Sequence, residues 1–457
     1  MRFLLGCGGL KPTLRFTVNI QKWVNPMKAA IGTAISSLLT SPGLRDTRRF
    51  LASLRRRLTG SPAQVHYFHQ ADDPYSHLVA QLLPGLLARY QVELQVHLVP
   101  MPADNAAPDR QRLQSWSRCD AALLATQAGL NFADSGRQPT PEQLATAQAL
   151  LAAAQQQGSF VHHAPRIGDW LWQQQGELPR GLNPLPAEQV AQVLEQGAAL
   201  RKQLGHYLGA TLFFESEWFW GLDRLDYLQE RLQQAGLNRG SDHSPLACLP
   251  QTVTQARPQN GKQPQLFFYG SLRSPYTYLA ARWARQLAEQ YGAELLLRPV
   301  LPMVMRGLPV PLEKRLYIVR DNKRIAERLG LPFGKIADPV GPPTERGRAL
   351  VFSALKQGKG TAVFESFLQA VWSEGVDAGS DAGLLKIAAR AGLDQAFVAA
   401  ALADQSWREQ AEANRQEMLG LGLWGVPSFR VDQGPAYWGQ DRLWLIEKDL
   451  IEATAAR

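Results

Sequence analysis

Cysteine is scarce in this sequence, and the cysteines that are present lie far apart. Cys7, Cys119 and Cys248 form no C-x-x-C pair. Dithiol–disulfide exchange needs an attacking and a resolving thiol close together, so the chain has no obvious equipment for that chemistry. The same scarcity favours a reducing compartment, and we predict a cytoplasmic location. No histidine cluster has metal-ligand spacing, so the sequence predicts no metal site.

Long hydrophobic runs are missing as well, and net charge is concentrated in one region. No apolar run reaches the roughly 18 residues of a membrane helix, so we expect no integral membrane segment. Residues 1–60 contain eleven Lys or Arg and one acid, Asp46, which makes +10; the whole chain carries +9, so residues 61–457 carry 9 − 10 = −1. A near-neutral body lacks a basic surface for phosphate, so we predict no nucleic-acid binding by the folded body. The arm is predicted to be partly disordered, and the alternative is that it contacts anionic lipid or nucleic acid.

The chain repeats itself. VHYFHQADDPYSHL at 65–78 is matched by LFFYGSLRSPYTYL at 266–279, which lies 201 residues later. FWGLDRLDYLQE at 219–230 is matched by YWGQDRLWLIEK at 437–448, which lies 218 residues later. The growth of this offset indicates insertions in the second copy. Two related domains joined by a linker are therefore predicted.

Each copy follows one coarse plan. A buried strand leads through a turn into a helix, a second strand follows, a long helical middle comes next, and a strand pair with a closing helix ends the copy. This order predicts an α/β fold with a split mixed sheet in each copy. We predict four regions: a basic arm (1–60), a first domain (61–248), a linker rich in Gln, Pro and Thr (249–264) and a second domain (265–457).

Three motifs of the second copy resemble a known family. They are S-P-Y at 274–276, G-V-P at 425–427 and W-G-Q-D-R at 438–442. In this order they resemble the DsbA-like thioredoxin superfamily, and within it the 2-hydroxychromene-2-carboxylate isomerases and the kappa-class glutathione transferases. The resemblance implies two tandem thioredoxin-like domains, each with a helical insertion in a split βαβ and ββα core, of which the first domain is degenerate.

The resemblance also implies a glutathione site in the second copy. Ser274 lies where thioredoxins hold their first catalytic cysteine, and bound glutathione supplies the thiol instead. The peptide between Val426 and Pro427, usually cis in the family, would pair with the glutathione backbone. Gln440 and Asp441 would meet its γ-glutamyl end. The implied activity is that of a glutathione-dependent isomerase or transferase, in which the thiolate adds to an electrophilic carbon of a small aromatic or unsaturated acid.

Without the family, the same residues have simpler interpretations. A serine before a proline is a common helix start, so Ser274 with Pro275 is either a cap alone or a cap whose hydroxyl also steadies a thiolate. The second alternative uses the partial positive charge at a helix N-terminus, which favours a thiolate over a thiol. Pro427 is alternatively a strand-edge proline. Asp441 with Arg442 is alternatively a solvated ion pair.

Three further residues are predicted to meet the substrate. They are Tyr276, beside the serine, and Tyr317 with Arg324, which share one face of a predicted helix. That face is predicted to roof the pocket, with Arg324 bound to a substrate carboxylate, a geometry that the planar guanidinium suits. The alternative is a helix face with an internal Asp–Arg contact. The tryptophans, among them Trp220 and Trp438, are predicted to lie in the core.

The first copy departs from these motifs. It has Asp73 where the second copy has Ser274, and the sequence alignment places Thr211 against Pro427. A thiolate beside Asp73 would meet a like charge, which raises the pKa of the thiol. We predict that the first copy keeps the fold, has lost thiolate chemistry and packs on the second as an internal pseudo-dimer. Two other classes stay open: a DsbA-type redox protein, against which the cysteines argue, and a non-catalytic binding or scaffold protein.

Overall fold

The described part of the chain begins within the basic arm, at residue 20. In this computed structural model, the structure describes residues 20–173, 177–178, 180–250, 263–301, 305, 307 and 310–455. The arm forms two helices, α1 (Ile20–Leu39) and α2 (Pro42–Thr59). In α1, Thr33 Oγ1 donates to the carbonyl of Ile336 at 3.1 Å, and Ser36 Oγ accepts from the N–H of Ile336 at 3.0 Å. The arm, predicted to be partly disordered, is therefore helical and docked over this range, and residues 1–19 lie outside the described residues.

The first copy has the predicted order of elements. A strand–helix–strand unit is followed by four helices, a strand pair and a closing helix: β1 (Gln64–His69), α3 (Pro74–Arg89), β2 (Glu93–Leu98), α4 (Arg110–Ala128), α5 (Pro141–Gln156), α6 (Phe160–Gln173), α7 (Ala187–Gln203), β3 (Thr211–Phe214), β4 (Glu217–Trp220) and α8 (Leu225–Gln234). The sheet order is β2-β1-β3-β4. β1 is parallel to β2 and antiparallel to β3, as a split sheet requires.

The second copy repeats this order with two more helices in its middle. Its elements are β5 (Gln265–Gly270), α9 (Pro275–Tyr291), β6 (Glu294–Pro299), α10 (Leu312–Arg328), α11 (Pro342–Leu355), α12 (Gly360–Ser373), α13 (Asp381–Ala389), α14 (Gln395–Ala403), α15 (Trp407–Gly420), β7 (Ser428–Val431), β8 (Ala436–Trp438) and α16 (Leu443–Ala455). The sheet order is β6-β5-β7-β8. Most of the linker predicted at 249–264 lies outside the described residues. None of the helices described is long and apolar enough to span a membrane.

The two sheets share one register, which confirms the predicted α/β class with two split sheets. Phe68 pairs with Thr211, and Tyr269, which lies 201 residues after Phe68, pairs with Ser428. Thr211 therefore corresponds to Ser428. It follows that Ala210, and not Thr211, corresponds to Pro427, so the alignment of Thr211 with Pro427 was wrong by one residue. The cause is one additional residue in the β7–β8 hairpin.

Each copy has its own hydrophobic core, and the two cores meet at their edges. In the second copy Phe268 stacks on Phe429 with ring centroids 4.9 Å apart. Burying such a side chain contributes roughly 1.5–3 kcal/mol. Trp116 and Leu123 of the first copy pack against the core of the second copy. Helix α4 therefore takes part in both halves of the protein.

Two buried arginines join the copies. Arg224, which follows β4 in the first copy, donates to Asp321 of the second copy at 2.9 and 3.0 Å and to Asp441 at 3.0 and 3.1 Å. The side chain of Arg224 is 3% exposed. Burial would lower the pKa of Arg224, but the two carboxylates outweigh it and hold that pKa well above its ordinary value. A guanidinium suits this double bidentate contact because its donors lie in one plane.

Arg442 makes the reciprocal contact from the second copy. It donates to Asp120 of the first copy at 2.6 and 2.7 Å and to Asp223 at 2.8 and 3.1 Å. The interpretation of Asp441 and Arg442 as a solvated pair is therefore wrong, because each binds a residue of the other copy. We call these six residues the arginine clasp: Asp120, Asp223, Arg224, Asp321, Asp441 and Arg442.

The clasp makes a test of interface stability possible. Arg442→Ala leaves the buried Asp120 and the half-buried Asp223 without their guanidinium partner, so we expect the free energy of unfolding to fall by about 3–5 kcal/mol. Arg180→Ala is the control, because its pair with Glu177 is exposed and should cost less than about 1 kcal/mol. Urea denaturation measures both. Equal losses in the two variants would contradict a structural role for the clasp.

Candidate functional site

One cavity lies between the two copies. Its volume is about 360 Å³, within the range of sites that bind small molecules. Seven of the eight predicted site residues line it: Ser274, Tyr276, Tyr317, Val426, Pro427, Gln440 and Asp441. The first copy supplies a comparable share of the wall, including Asp73, Tyr75, Trp116, Tyr207, Trp220 and Arg224. The cavity therefore connects the N-termini of α3 and α9.

Ser274 caps α9, as the sequence predicts. The backbone N–H of Thr277 donates to Ser274 Oγ at 3.1 Å, and Pro275 is the first helical residue. The hydroxyl lies 3.5 Å from the carbonyl of Val426, which is long for a hydrogen bond. The hydroxyl can therefore turn toward a ligand at little cost. Capping is shown, and it leaves the thiolate-stabilising alternative open.

The loop before β7 brings a second predicted element to the same place. The bond between Val426 and Pro427 is cis. Ser428 Oγ, at the start of β7, donates to the carbonyl of Gly425 at 2.8 Å, which fixes the turn. Val426 is half-buried and Pro427 is buried, and both line the cavity. The loop therefore lies beside the first turn of α9, as the resemblance implies.

Tryptophans form an aromatic part of the wall. The ring centroids of Trp424 and Trp438 are 5.2 Å apart, and Trp116 of the first copy lies 6.5 Å from Trp438. Trp220 lines the cavity as well. Trp220 and Trp438 each pack against a hydrophobic cluster, as predicted, but both are half-buried and also line the cavity. Their position in W-G turns, one residue before a glycine, was the signal that could have revealed this.

In the second copy, Tyr276 and Tyr317 place hydroxyl groups at the cavity. Tyr276 donates to Asp321 at 2.9 Å, as Tyr75 of the first copy donates to Asp120 at 2.7 Å. Burial and the nearby carboxylate raise the pKa of Tyr276 well above its ordinary value, so it stays a neutral phenol. The buried hydroxyl of Tyr317 has no hydrogen-bond partner among the described residues. Because buried polar groups usually have a hydrogen-bond partner, we expect this hydroxyl to bond a ligand in the cavity.

Arg324 is the predicted site residue that does not line the cavity. Its guanidinium donates to the carbonyl of Trp218 at 2.9 Å and lies over the ring of Phe219 at 4.4 Å from the centroid. Glu217 is 3.6 Å away. The part of α10 that carries Arg324 therefore lies outside the cavity and packs on β4 of the first copy. The prediction that Arg324 binds a substrate carboxylate is therefore not supported.

Lys314, which sequence reasoning missed, takes a position at the cavity instead. Its Nζ donates to the carbonyl of Ala106 in the first copy at 2.8 Å and lies 5.6 Å from the ring centre of Tyr207. Burial lowers the pKa of Lys314 to about 8. No carboxylate partner of Lys314 is found among the described residues. Its spacing of three residues from Tyr317 places both on one helical face and was the available signal.

Asp73 occupies the first copy's equivalent of the Ser274 position. It accepts from the N–H of Tyr75 at 3.2 Å and from Ser76 Oγ at 2.9 Å. Burial, with a smaller contribution from the neighbouring Asp72, raises the pKa of Asp73 to about 7. Near neutral pH the carboxyl is therefore only partly ionised. Only the ionised fraction of Asp73 would repel a thiolate.

Asp441 has most of its acceptor positions occupied. It accepts two bonds from Arg224 and one from Gln440 Nε2 at 2.7 Å. A carboxylate offers about four lone-pair positions, so one position remains on Oδ1. Burial raises the pKa of Asp441 to about 6, outweighing the arginine. Arg324 lies 3.7 Å from Asp321, so three guanidiniums face the four carboxylates of the clasp, and negative charge remains there for a ligand cation.

Comparison with known proteins agrees with this architecture. Residues 265–450 match the family model described as DSBA-like thioredoxin domain. A 2-hydroxychromene-2-carboxylate isomerase of Pseudomonas putida is 24% identical over 192 residues, which are 39% of this chain and 91% of that protein.

Similar solved structures each cover under half of this chain. A 2-hydroxychromene-2-carboxylate isomerase is 21% identical with a TM-score of 0.35, over 42% of this chain and 98% of that chain. The cytosolic disulfide reductase DsbM from Pseudomonas aeruginosa is 22% identical with a TM-score of 0.34, over 42% of this chain and 97% of that chain.

A DSBA-like thioredoxin domain therefore occupies residues 265–450, which confirms the family resemblance of the second copy. An isomerase is among the sequence relatives of the chain, and the match covers 91% of that isomerase. The first copy shares the sheet order and strand register of this domain.

The raised pKa of Asp73 predicts a pH-dependent stability. The unfolded chain ionises this carboxyl near pH 4, whereas the folded protein ionises it only near pH 7. The destabilisation caused by Asp73 is therefore absent below about pH 4, grows between about pH 4 and pH 7, and is complete above about pH 7. Asp73→Asn keeps a cap and should therefore stabilise the protein at pH 8 by more than about 1 kcal/mol beyond its effect at pH 4. Urea denaturation at both pH values tests this, and equal effects would contradict the assignment.

Proposed function

We propose that this protein is a glutathione-dependent isomerase or transferase whose substrate is a small aromatic or unsaturated acid. The observation that carries the proposal is the convergence of three separate chain segments on one cavity: the cap at Ser274, the Val426–Pro427 loop and the turn at Gln440–Asp441. The loop and the turn flank the β7–β8 hairpin, which brings them together locally. Ser274 lies 152 residues before Val426, so only the tertiary fold brings the cap to them. The 24% identity to an isomerase over 192 residues supports the same activity.

The residues around Ser274 fit the sulfur of glutathione. When bound, glutathione would supply the thiolate that attacks an electrophilic carbon. The N-terminus of α9 carries partial positive charge, which stabilises an anion there. Pro275 has no N–H and the Thr277 N–H donates to Ser274, so the backbone donor left for an anion in this turn is the N–H of Tyr276. The Ser274 hydroxyl, with only a long contact to Val426, adds one donor. Serine needs no general base in this role, because it does not itself form a covalent bond.

The turn at Gln440–Asp441 fits the ammonium of the γ-glutamyl end. Asp441 keeps one acceptor position on Oδ1, and its side chain is 29% exposed. Above about pH 6 the carboxylate is charged and would bind the ammonium directly. The hydrogen bond from Gln440 holds the carboxylate in place. In this proposal Arg224 of the first copy orients the acid and leaves part of its charge for the ligand.

The remaining wall fits an aromatic acid. The tryptophan group offers flat apolar surface for a ring. Lys314 provides an ammonium for the carboxylate, the role expected of Arg324, and the Tyr317 hydroxyl provides a neutral donor. Because Trp116 and Tyr207 belong to the first copy, we propose that residues 61–248 form an internal pseudo-dimer partner of residues 265–457 and complete the cavity.

Removal of the Ser274 hydroxyl tests the thiolate site. Ser274→Ala should raise the pKa of bound glutathione's thiol by about one unit, because a hydrogen bond to a charged group contributes about 1.5–3 kcal/mol. Thiolate absorbance measured against pH in the complex gives this pKa. Ser380→Ala is the matched control, because Ser380 caps α13 away from the cavity. The same pKa in wild type and Ser274→Ala would remove the proposed role.

Replacement of Lys314 tests the substrate carboxylate. Lys314→Met should raise KM for an acidic substrate about tenfold or more, with a smaller effect on its uncharged amide. Lys323→Met is the control, because Lys323 lies on the same helix and donates to the carbonyl of Phe333 outside the cavity. Equal effects of the two variants would contradict the assignment.

An absence of heat when wild type is titrated with glutathione would instead favour a non-catalytic scaffold.

A further inference from the structure

Exposed large apolar side chains are concentrated on the two arm helices. Among the described residues, eight of the eleven exposed large apolar side chains lie on α1 and α2: Ile31, Ile35, Leu38, Leu44, Phe50, Leu51, Leu54 and Leu58. Helix α2 has 18 residues, and none of them is buried. Clustered exposed apolar surface marks an interaction site, whereas scattered single residues do not.

The apolar residues of α2 share one face. At about 100° per residue, they fall within an arc of about 120°. This set, which we call the apolar stripe, consists of Leu44, Phe50, Leu51, Leu54 and Leu58. Phe50 is 65% exposed and Leu58 is 78% exposed. The stripe has the width of a face that packs against another apolar phase.

Ion pairs hold the opposite face of α2 against the body. Arg49 binds Glu217 of the first copy at 2.7 Å. Two further arginines pair in the same way, one with each copy: Arg56 with Glu215 and Arg45 with Glu327. Helix α1 is anchored through Thr33 and Ser36, as described above. Because these contacts fix the inner face, the apolar stripe is held outward.

Positive charge borders the stripe on both sides. Arg48 and Arg55 lie along one edge and Arg57 along the other, and all three are exposed. No acidic partner of these three is found in the part of the chain that is described. The one acid of the arm, Asp46, accepts from Arg45. The outward face of α2 is thus apolar at its centre and cationic at its margins, the pattern of a helix that lies in a lipid interface.

The charge distribution decides among possible occupants. Nucleic acid would bind the arginines but leave five large apolar side chains in water. A second copy would bring two arms of +10 together, because each arm carries eleven basic residues and one acid. An anionic lipid surface satisfies both features, since headgroups meet the arginines and acyl chains meet the stripe.

We propose that α1 and α2 dock this protein on an anionic lipid surface, with the apolar stripe of α2 inserted at the headgroup boundary. The body has a net charge of −1, so the attraction comes from the arm. This docking is independent of the proposed enzymatic activity, because the stripe shares no residue with the cavity.

Vesicle co-sedimentation of the full chain tests the proposal. We expect binding to vesicles of phosphatidylcholine with 30% phosphatidylglycerol, and at least about tenfold weaker binding to pure phosphatidylcholine. Phe50→Glu with Leu54→Glu should reduce binding to the anionic vesicles by at least about tenfold. Arg48→Gln with Arg55→Gln should reduce it by about fivefold for each arginine removed. Circular dichroism confirms that the exposed substitutions leave the fold intact.

A matched control separates the stripe from general surface hydrophobicity. Leu178→Glu with Leu312→Glu makes the same change at two exposed apolar residues outside the arm, and vesicle binding should be unchanged. Equal loss in the control, or no binding of wild type to either vesicle, would overturn the proposal. A concentration-dependent dimer that Phe50→Glu with Leu54→Glu abolishes would overturn it as well, because a second copy would then cover the stripe. Binding of a DNA duplex lost only in the arginine variant, without vesicle binding, would assign the arm to nucleic acid instead.

Discussion

The exchange of arginines between the two copies is the interaction on which the rest of the structure depends. Arg224 and Arg442 each carry one charge into a buried interface, where a guanidinium persists only with carboxylates around it. Each arginine binds a helix aspartate and a turn aspartate of the other copy. Because both come from the same motif, the contact has the reciprocity of an isologous interface. The clasp therefore sets the distance and orientation of the two sheets, and with them the shape of the cavity between the copies.

The cavity shows how a duplicated fold can divide its tasks. Ser274 and Asp73 occupy equivalent helix caps, yet one is a neutral donor and the other a carboxyl with a pKa raised by burial to about 7. The first copy retains the cap and the strand register while it supplies aromatic wall and the arginine that orients Asp441. A domain with aspartate at the position of the serine thus still determines the surface around Ser274. The arm adds a separate feature, since its inner face binds both copies and its outer face is apolar and cationic.

Particular residues show how far sequence reasoning reached. Ser274 was predicted as a helix cap from the Ser-Pro pair, because a cap depends on the local chain. The cis bond before Pro427 was implied by the family resemblance and not by the dipeptide. Arg324 was placed at the cavity from helical spacing alone, but spacing gives a face and not its partner. Lys314 was missed because its importance comes from a carbonyl of the other copy. Trp220 was assigned to the core alone, because the sequence does not show that the other copy forms a cavity beside it.

The sequence by itself determined the repeat, the order of strands and helices, and the caps that start α3 and α9. These follow from periodicity and from short-range hydrogen bonds, which are encoded within a few residues. Only the tertiary structure decided that Asp441 binds Arg224, that the tryptophans face a cavity and that the arm is fixed by ion pairs. The contact of Asp441 with Arg224 and the ion pairs of the arm join residues more than 100 positions apart, and side-chain type alone cannot choose among many possible partners. The choice is made when two surfaces bury charge together, which only the folded chain defines.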